Sequence, residues 1–369
     1  MAGIYLHIPF CKSKCSYCNF FSVVSEKQRA DFLDALKREA VARKDYLGGE
    51  EVRTIYFGGG TPTVLEALEV LKVLEVLRNN YSINAAAEVT LEANPDTISK
   101  EKLLEYKSLG INRLSIGIQS FFDDDLQYLS RKHDSKHALK VLDWAKEVGF
   151  QEVTIDLIYG IPTLTDEKWR KNLEIFFSTG FNHLSAYALT IEEKTALGQQ
   201  IKKGLAAPVS EEKTIRHYEI LVEMTENQGF EHYEISNFAR PGHYSKHNTI
   251  YWKGEKYLGL GPSAHSFDGV SRQWNVASVK DYCENYSFER EELTLDDRYN
   301  EYVMTSLRTN WGCDLNYIRD NFGEEYVKRF NILTKKHILS GKMYQKDESF
   351  ILNDKGMLFA DGIASELFV

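Results

Sequence analysis

The sequence is poor in the residue types and patterns that would indicate several classes of protein. It contains only 7 prolines, 5 cysteines and 5 methionines in 369 residues. An odd, small number of cysteines argues against a disulfide framework and for a reducing compartment, so we expect a cytoplasmic protein. No apolar run approaches the length of a membrane span, and no signal-peptide pattern precedes the first predicted strand. Acidic residues outnumber basic ones, and the net charge of −9 argues against a nucleic-acid partner.

What the sequence does contain is a regular alternation of predicted strands and helices. Its hydrophobic content of 43% and charged content of 27% are those of an ordinary globular protein with a large core. Predicted strands start near residues 3, 52, 88, 113, 153 and 183, and each is followed by a helical segment. Successive units of this kind favour parallel strands with right-handed crossovers. Six units are too few for a closed eight-stranded barrel, so we expect an α/β fold built on an open, partial barrel.

This alternation stops near residue 190, which suggests a division into three parts. We predict a barrel domain over residues 1–208, a linker or extension over 209–292 and a small C-terminal domain over 293–369. In the extension we expect an amphipathic helix over 211–228, followed by an irregular, glycine-rich and aromatic stretch up to residue 261. The last part predicts a small α+β unit, winged-helix-like in shape, with a hairpin near Asp347 and no excess of positive charge.

Three of the five cysteines lie within eight residues, directly after the first predicted strand. Cys11, Cys15 and Cys18 are spaced C-x3-C-x2-C, which lets one loop direct three thiolates toward a common point. Three thiolates suit a [4Fe–4S] cluster that keeps one iron open, whereas a structural zinc site normally has four protein ligands. A zinc knuckle that includes His7 and a set of buried free thiols are the alternatives. Cys283 and Cys313 are far from this loop, and we expect them to be structural.

Polar residues and glycines follow the other predicted strands at the point where each strand ends. These positions are Gly58 to Thr61 after the second strand, Glu92 and Gln119 at the ends of the third and fourth, and Asp156 within the fifth. Chemistry in barrels of this kind is carried out at the C-terminal ends of the strands. The glycine stretch lacks the spacing of a dinucleotide fingerprint and the lysine of a P-loop. It could be a tight turn, or it could let a ligand's amino group approach the backbone. The polar side chains could equally form structural hydrogen bonds.

The cysteine motif resembles that of the radical SAM superfamily, and Tyr17 before the last cysteine fits the pattern. The longer string Tyr5-Leu6-His7-Ile8-Pro9-Phe10-Cys11 is similar to the branch that holds the oxygen-independent coproporphyrinogen III oxidases and the heme chaperones. The resemblance implies that S-adenosylmethionine (SAM) chelates the open iron and is cleaved to a 5′-deoxyadenosyl radical. It also implies a set of SAM-contacting residues, with Tyr17 beside the cluster and Ala188 as a weaker match: Tyr5, Gly59, Gly60, Thr61, Glu92, Gln119, Arg131 and Asp156.

A second motif separates the two functions of this branch. The string His247-Asn248-Thr249-Ile250-Tyr251-Trp252 resembles the HNxxYW motif of the heme chaperones and makes His247 the candidate heme ligand. A histidine among aromatic residues is otherwise more often a packing residue. His243 and His265 are nearby spare candidates, for which we favour a structural role. Phe20 occupies the position where the oxidases carry a further cysteine, and only four residues precede Tyr5, where the oxidases have an N-terminal extension. Both features favour the chaperone.

The sequence therefore predicts a radical SAM-type heme chaperone that binds a [4Fe–4S] cluster, SAM and heme. The resemblance implies proteins that accept heme, including membrane-associated ones, and a protein that reduces the cluster, and it leaves a homodimer open. An oxygen-independent coproporphyrinogen III oxidase, active in porphyrin metabolism, is the alternative function. A zinc-stabilised barrel without redox chemistry is the third interpretation.

Overall fold

The six strands that the alternation predicts lie side by side in chain order, in a computed structural model that describes residues 2–369. All five neighbouring pairs among them are parallel, which confirms the predicted α/β arrangement. The third strand begins five residues earlier than its predicted start, and the other starts agree within one residue. The strands are β1 (Ala2–Ile8), β2 (Val52–Gly59), β3 (Ile83–Ala93), β4 (Arg113–Gln119), β5 (Glu152–Tyr159) and β6 (His183–Ala188).

Helices connect these strands, and their ends follow capping chemistry. The side chains of Ser99, Asp134 and Thr165 each accept a hydrogen bond from the backbone N–H three residues later. Gly149 and Gly180 end two of the helices in the left-handed conformation, with φ of 86° and 74°. Two single 3₁₀ turns lie at 62–64 and 95–97. The helices are α1 (Arg29–Ala42), α2 (Ala67–Asn80), α3 (Lys100–Ser108), α4 (Asp123–Tyr128), α5 (Ser135–Val148) and α6 (Asp166–Thr179).

The stretch over 232–261, predicted to be irregular, instead contributes strands to the same sheet, so that prediction was wrong. Its strands are β7 (Glu231–Glu234), β8 (Asn237–Ala239) and β9 (Lys256–Leu260), followed by β10 (His265–Phe267), β11 (Ser271–Asn275) and β12 (Phe288–Glu292). Strands of three to five residues are too short to show a clear alternating pattern. The sheet order is β12-β11-β10-β9-β1-β2-β3-β4-β5-β6-β8-β7. Because β9 pairs with β1 in parallel, the barrel has a seventh parallel strand.

Four further helices belong to this middle part of the chain. They are α7 (Ala196–Lys202), α8 (Glu211–Asn227), α9 (Lys246–Trp252) and α10 (Val279–Asn285). Helix α8 matches the helix predicted over 211–228 within one residue. Helix α9 carries the HNxxYW-like string and packs against β1, β2 and β9, on the inner side of the sheet.

The C-terminal part is a small α+β unit, as the sequence predicted. Three helices are followed by a two-stranded hairpin whose turn residue Asp347 has a φ of 51°. The unit contacts the main sheet through a backbone bridge between Glu234 and Thr309. The proposed domain boundaries at 208 and 292 stay predictions. The elements are α11 (Leu295–Ser306), β13 (Cys313–Asp314), α12 (Leu315–Phe322), α13 (Glu324–Leu339), β14 (Met343–Lys346), β15 (Ser349–Leu352), α14 (Asp354–Met357) and α15 (Ala360–Glu366).

The hydrophobic core lies between the parallel strands and the helices that cover them. Strand β4 is buried along its whole length, as expected of a central strand covered on both faces. None of the helices within residues 2–369 is both long enough and apolar enough to cross a lipid bilayer.

Candidate functional site

A cavity of about 350 Å³ lies inside the barrel, and its lining extends to the C-terminal ends of the parallel strands. The polar residues chosen from the sequence are brought together there, although they come from separate βα units. Tyr5 and His247 are not part of the lining and lie behind it. The predicted residues that line the cavity are Cys11, Cys15, Tyr17, Cys18, Gly59, Gly60, Thr61, Glu92, Gln119, Arg131 and Asp156.

The cysteine loop is closed at its base by backbone hydrogen bonds. The N–H of Cys11 donates to the carbonyl of Val23 at 3.0 Å, and the N–H of Val23 donates to the carbonyl of Pro9 at 2.7 Å. These bonds hold the loop over the end of β1, so all three thiols face the cavity. Burial raises the pKa of the Cys11 and Cys18 thiols.

Two of the three sulfurs accept hydrogen bonds from side chains of other βα units. The Thr61 hydroxyl donates to Cys11 Sγ at 3.5 Å, and the Arg131 guanidinium donates to Cys15 Sγ at 3.4 Å. Within residues 2–369, no three His, Cys, Asp or Glu side chains converge as ligands of one metal ion would. The ligands of an iron–sulfur cube each bind a different iron, so they need not converge in that way. A three-cysteine loop beside a polar cavity therefore fits the cluster that the resemblance implies.

The glycine stretch fits tightly against the first strand and its cysteine loop. The N–H groups of Gly60 and Thr61 donate to the carbonyls of Ile8 and Phe10, each at 2.8 Å. Gly59 has a φ of 107°, and a Cβ atom there would lie 2.7 Å from the His7 ring. A Cβ atom at Gly60 would lie 2.7 Å from the Phe10 carbonyl oxygen. Backbone conformation and close packing thus explain both glycines, while their backbone still lines the cavity.

Two half-buried carboxyl groups face the cavity, and neither accepts a hydrogen bond from a basic side chain of residues 2–369. Glu92 accepts from the Tyr56 hydroxyl at 2.8 Å and from the Gly59 N–H at 3.1 Å. Asp156 accepts from the Ser115 hydroxyl at 3.1 Å. Burial, helped for Glu92 by the neighbouring Asp156, raises the pKa of each carboxyl to about 7. A pair of this kind would bind a cation favourably, because the cation would compensate charges that the protein itself leaves unpaired.

Arg131 lies on the cysteine side of the same cavity and is held from three directions. Besides Cys15, its guanidinium donates to the Asn94 side-chain oxygen at 2.7 Å and to the Gly117 carbonyl at 2.6 Å. The residue before it, Ser130, has a φ of 58°, a strained conformation for a residue other than glycine. The cavity therefore has a cationic side toward the cysteines and an anionic side around Glu92.

Gln119 also occupies a strained position at the end of β4. Its φ is 70°, and its side-chain oxygen accepts from the Tyr187 hydroxyl at 3.1 Å. Strain of this kind is often retained where a side chain must be directed at a site. Ala188, the weaker sequence match, ends β6 directly after Tyr187.

Sequence reasoning did not select four residues that hold the predicted ones in place. Tyr56, Asn94, Ser115 and Tyr187 all line the cavity and hydrogen-bond to Glu92, Arg131, Asp156 and Gln119, respectively. The available signal was alternation, since Tyr56 lies two residues before Gly58 and Ser115 lies four before Gln119 on the same strand.

The structure places His247 inside the barrel rather than at the surface. Its ring is buried with 1% exposure and stacks on Tyr56 at a centroid distance of 4.9 Å. Nδ1 is paired with the Thr54 hydroxyl and Nε2 with the Tyr251 hydroxyl, both at 2.8 Å. Burial lowers the pKa of His247 to about 3, so its imidazole is neutral. Ser245 and Asn248, beside His247, line the cavity, so α9 borders it.

This geometry does not present His247 as a ligand for a metal centre outside the protein. Both ring nitrogens are occupied, so an iron atom would have to displace Thr54 or Tyr251. The contacts of His247 with Thr54 and Tyr251 therefore fit a packing and hydrogen-bonding role better than a role as a ligand of heme iron. The assignment of His247 as a heme ligand stays a prediction.

Comparison with known proteins adds the family to this geometry. Residues 5–176 match the model of the radical SAM superfamily. The chain is 32% identical over 371 residues to the heme chaperone HemW of Bacillus subtilis, with 98% of each chain covered. It is 31% identical to the heme chaperone HemW of Mycobacterium tuberculosis, covering 99% of this chain and 94% of that one.

A solved structure extends the similarity to the whole fold. The coproporphyrinogen III oxidase HemN of Escherichia coli, described as a radical SAM enzyme, superposes with a TM-score of 0.87 at 26% identity. The superposition covers 100% of this chain and 90% of that one. Together with the three-cysteine cavity, these similarities show that the chain belongs to the HemW family within the radical SAM superfamily.

Proposed function

We propose that this protein is a heme chaperone that carries a [4Fe–4S] cluster and SAM and delivers heme to acceptor proteins. The observation that carries the proposal is the shared cavity, which three cysteines line together with two half-buried carboxyl groups that lack basic hydrogen-bond partners among residues 2–369. Membership of the radical SAM superfamily implies the cluster and SAM. The heme function is supported by relatives named heme chaperones that match nearly the full chain.

In this proposal Cys11, Cys15 and Cys18 would hold three irons of the cluster, and the reduced cluster with SAM would supply one-electron radical chemistry. Glu92 and Asp156 compensate the positive charge of the sulfonium and amino groups. Arg131 stabilises negative charge beside Cys15, either on the thiolate or on a ligand carboxylate.

The remaining predicted residues would shape the cavity around the ligand. Gly59, Gly60 and Thr61 offer backbone that a ligand's amino group can approach, and Gln119 offers a side-chain amide. Tyr17 lies beside the cluster loop. Tyr5 lies behind the lining, where its ring stacks on Tyr56 at a centroid distance of 6.0 Å.

The cluster and SAM are tested by anaerobic purification, with iron, sulfide and zinc analysis and electron paramagnetic resonance (EPR). We expect about four irons per chain, and a reduced-cluster EPR signal that changes when SAM is added. The Cys15→Ala variant should lose the iron, whereas Cys283→Ala should retain it and serve as the matched control. Zinc without iron in the wild-type protein would instead support the structural-zinc interpretation.

Heme binding is tested by titrating ferric heme into the protein and following the Soret band. Saturation at a defined stoichiometry, followed by transfer to an apo-cytochrome, would support the chaperone. The His247→Gln variant tests the motif, since loss of the heme spectrum with an intact cluster would support His247 as the ligand.

A coproporphyrinogen III oxidase is the second candidate, because the HemN structure matches the entire chain with a TM-score of 0.87. The test is an anaerobic assay of the cluster-loaded protein with coproporphyrinogen III, SAM and a reductant. Formation of vinyl product in proportion to the SAM consumed would favour the oxidase. Heme transfer without vinyl product would favour the chaperone.

The proposed partners follow from the chaperone function. They are heme-accepting proteins, including membrane-associated ones, and a protein that reduces the cluster. A homodimer is part of the same proposal and is tested by sedimentation of the anaerobic protein with and without heme.

A further inference from the structure

One histidine differs from all the others in its surroundings. His265 is the exposed member of the ten histidines, and neither of its ring nitrogens makes a hydrogen bond to residues 2–369. Each of the other nine has at least one ring nitrogen within 3.4 Å of a protein oxygen or nitrogen atom: His7, His133, His137, His183, His217, His232, His243, His247 and His337. An open imidazole is what an incoming metal centre requires.

His265 lies near the end of the barrel that carries the cysteine loop. Because β9 runs parallel to β1, the turn that follows β9 emerges at the same rim as the loop that follows β1. A Cβ atom at Gly261 in this turn would lie 2.5 Å from the His7 carbonyl oxygen, which shows how closely the turn packs on β1. His7 in turn contacts the cysteine loop, since its Nε2 pairs with the Phe21 carbonyl at 2.9 Å.

The turn that leads to His265 is anchored by a buried ion pair that does not line the cluster cavity. The side chains of Glu39 in α1 and of Arg43, which directly follows α1, are 0% and 7% exposed and lie 3.1 Å apart. Glu39 accepts from the Gly261 N–H at 2.9 Å, and Arg43 donates to the Gly259 carbonyl at 3.1 Å and to the Ser266 hydroxyl at 3.0 Å. Burying two charges is unfavourable unless the geometry is excellent, so a pair placed here fixes this turn in one conformation.

An aromatic ring lies beside the open imidazole. Trp274 of β11 is the direct cross-strand partner of His265, and the two rings stack at a centroid distance of 6.2 Å and an angle of 28°. Partial burial lowers the pKa of His265, and Arg272 two residues from Trp274 lowers it further, which favours the neutral, ligating form. A flat indole next to a free ring nitrogen suits a planar macrocycle with a metal at its centre.

We propose that His265, with Trp274 beside it, is the accessible ligand through which this protein binds heme iron. The inference rests on the proposed heme function and assigns the ligand to the rim instead of the barrel interior. A chaperone must load and release its heme, so the iron ligand has to be reachable from solvent. His265 meets this condition, whereas His247 would first have to give up a hydrogen bond inside the barrel.

The experiment compares ferric heme binding by the cluster-loaded wild type with three variants, His265→Ala, His247→Gln and His243→Ala. His243 is a matched control, because it is partly exposed and bonds Glu152. The oxidised [4Fe–4S] cluster is EPR-silent, so low-temperature EPR reports the ferric heme alone. We expect His265→Ala to change the ferric heme EPR signal of the wild type and to lose at least tenfold in heme affinity. His243→Ala and His247→Gln should retain the wild-type heme spectrum.

Two results would overturn the inference. A wild-type heme spectrum in His265→Ala, together with its loss in His247→Gln, would place the ligand inside the barrel while leaving the chaperone function intact. An absence of heme binding by the wild type would remove the proposed function and this inference together. The cluster absorption of every variant reports whether the fold is preserved. Heme bound at His265 would lie beside the Trp274 indole and quench its fluorescence. Trp274→Phe should therefore reduce the quenching of tryptophan fluorescence by heme, whereas no such change is expected if His265 has a purely structural role.

Discussion

Two pairs of ionisable side chains in the interior of this molecule differ in how their charges are compensated. Glu39 and Arg43 bond to each other, and they also hydrogen-bond to side chains and backbone groups of residues 259–282. Within residues 2–369, Glu92 and Asp156 accept hydrogen bonds from hydroxyl and backbone donors alone, and burial raises the pKa of both to about 7. The charges of the first pair compensate each other without any ligand, whereas a bound cation would compensate those of the second. The contrast distinguishes charges that hold the structure from charges that await a ligand.

The largest effect should follow from breaking the complete pair. Glu39→Gln leaves Arg43 buried without its counter-ion, and we expect a loss of about 3–5 kcal/mol in the free energy of unfolding. Urea denaturation followed by circular dichroism measures it. Lys171→Ala, which removes an exposed ion pair with Glu174, is the control and should cost less than about 1 kcal/mol. Equal losses in the two variants would contradict the assignment of Glu39 to a structural role.

The same substitution in the cavity should weaken ligand binding and leave stability unchanged or higher. Glu92→Gln removes the negative charge, and the one remaining side-chain oxygen can still accept from either Tyr56 or Gly59, which bond different oxygens of Glu92. We expect SAM affinity to fall about tenfold or more, since a charged hydrogen-bonding interaction of about 1.5–3 kcal/mol is lost. Anaerobic calorimetry with SAM measures the affinity. Destabilisation by several kcal/mol with unchanged SAM affinity would reverse the comparison.

The pH dependence sharpens the distinction further. Because the pKa of Glu92 and Asp156 is raised to about 7, both carboxyls are largely protonated below that pH and compensate a cation only above it. SAM affinity should therefore increase from pH 6 to 8 and level off beyond, by at most about tenfold per pH unit for each carboxyl. In the absence of ligand, the native state binds more protons than the unfolded state between about pH 4 and 7, so stability should fall as pH rises through that range.

Glu92→Gln checks this pH prediction directly. The variant should lose part of the pH dependence of both SAM affinity and stability, because only Asp156 still titrates in the cavity. Profiles identical to those of the wild type would show that Glu92 is not the titrating group.

The smallest expected effect concerns the residue that connects the cavity to α9. Tyr56 donates to Glu92 and stacks on His247, so Tyr56→Phe removes one hydrogen bond and keeps the packing. We expect SAM affinity to change by about threefold to tenfold, corresponding to about 0.5–1.5 kcal/mol. Tyr257→Phe, on the outer side of Tyr251, is the control and should not alter SAM affinity.

Some features of the fold could be predicted because they depend on local patterns. The six strands were recognisable from their spacing in the sequence. The positions of Glu92, Gln119 and Asp156 at or near the ends of these strands predicted that the three side chains lie close together. Pairing across the sheet could not be predicted in the same way, since β9 joins β1 after more than two hundred intervening residues. The supporting residues Tyr56 and Ser115 were also missed, because ordinary strand residues acquire a role only through what they face.

His247 and His265 show the same division for single side chains. A motif drew attention to His247, and the structure places it in the barrel with both ring nitrogens occupied. His265 lacked any motif and was only a spare candidate for which a structural role was favoured, yet within residues 2–369 it is the histidine with neither ring nitrogen hydrogen-bonded. Accessibility depends on the arrangement of distant segments, so a motif alone cannot assign it.

The amino-acid sequence alone determined the cysteine loop, the succession of βα units and the family resemblance, because these depend on residues close together in the chain. The tertiary structure alone decided which buried charges are compensated, which histidine is accessible, and where strands β7 to β12 join the sheet. Those properties depend on burial and on contacts between segments far apart in sequence, and burial is what changes the free energy of a charge or a ring nitrogen.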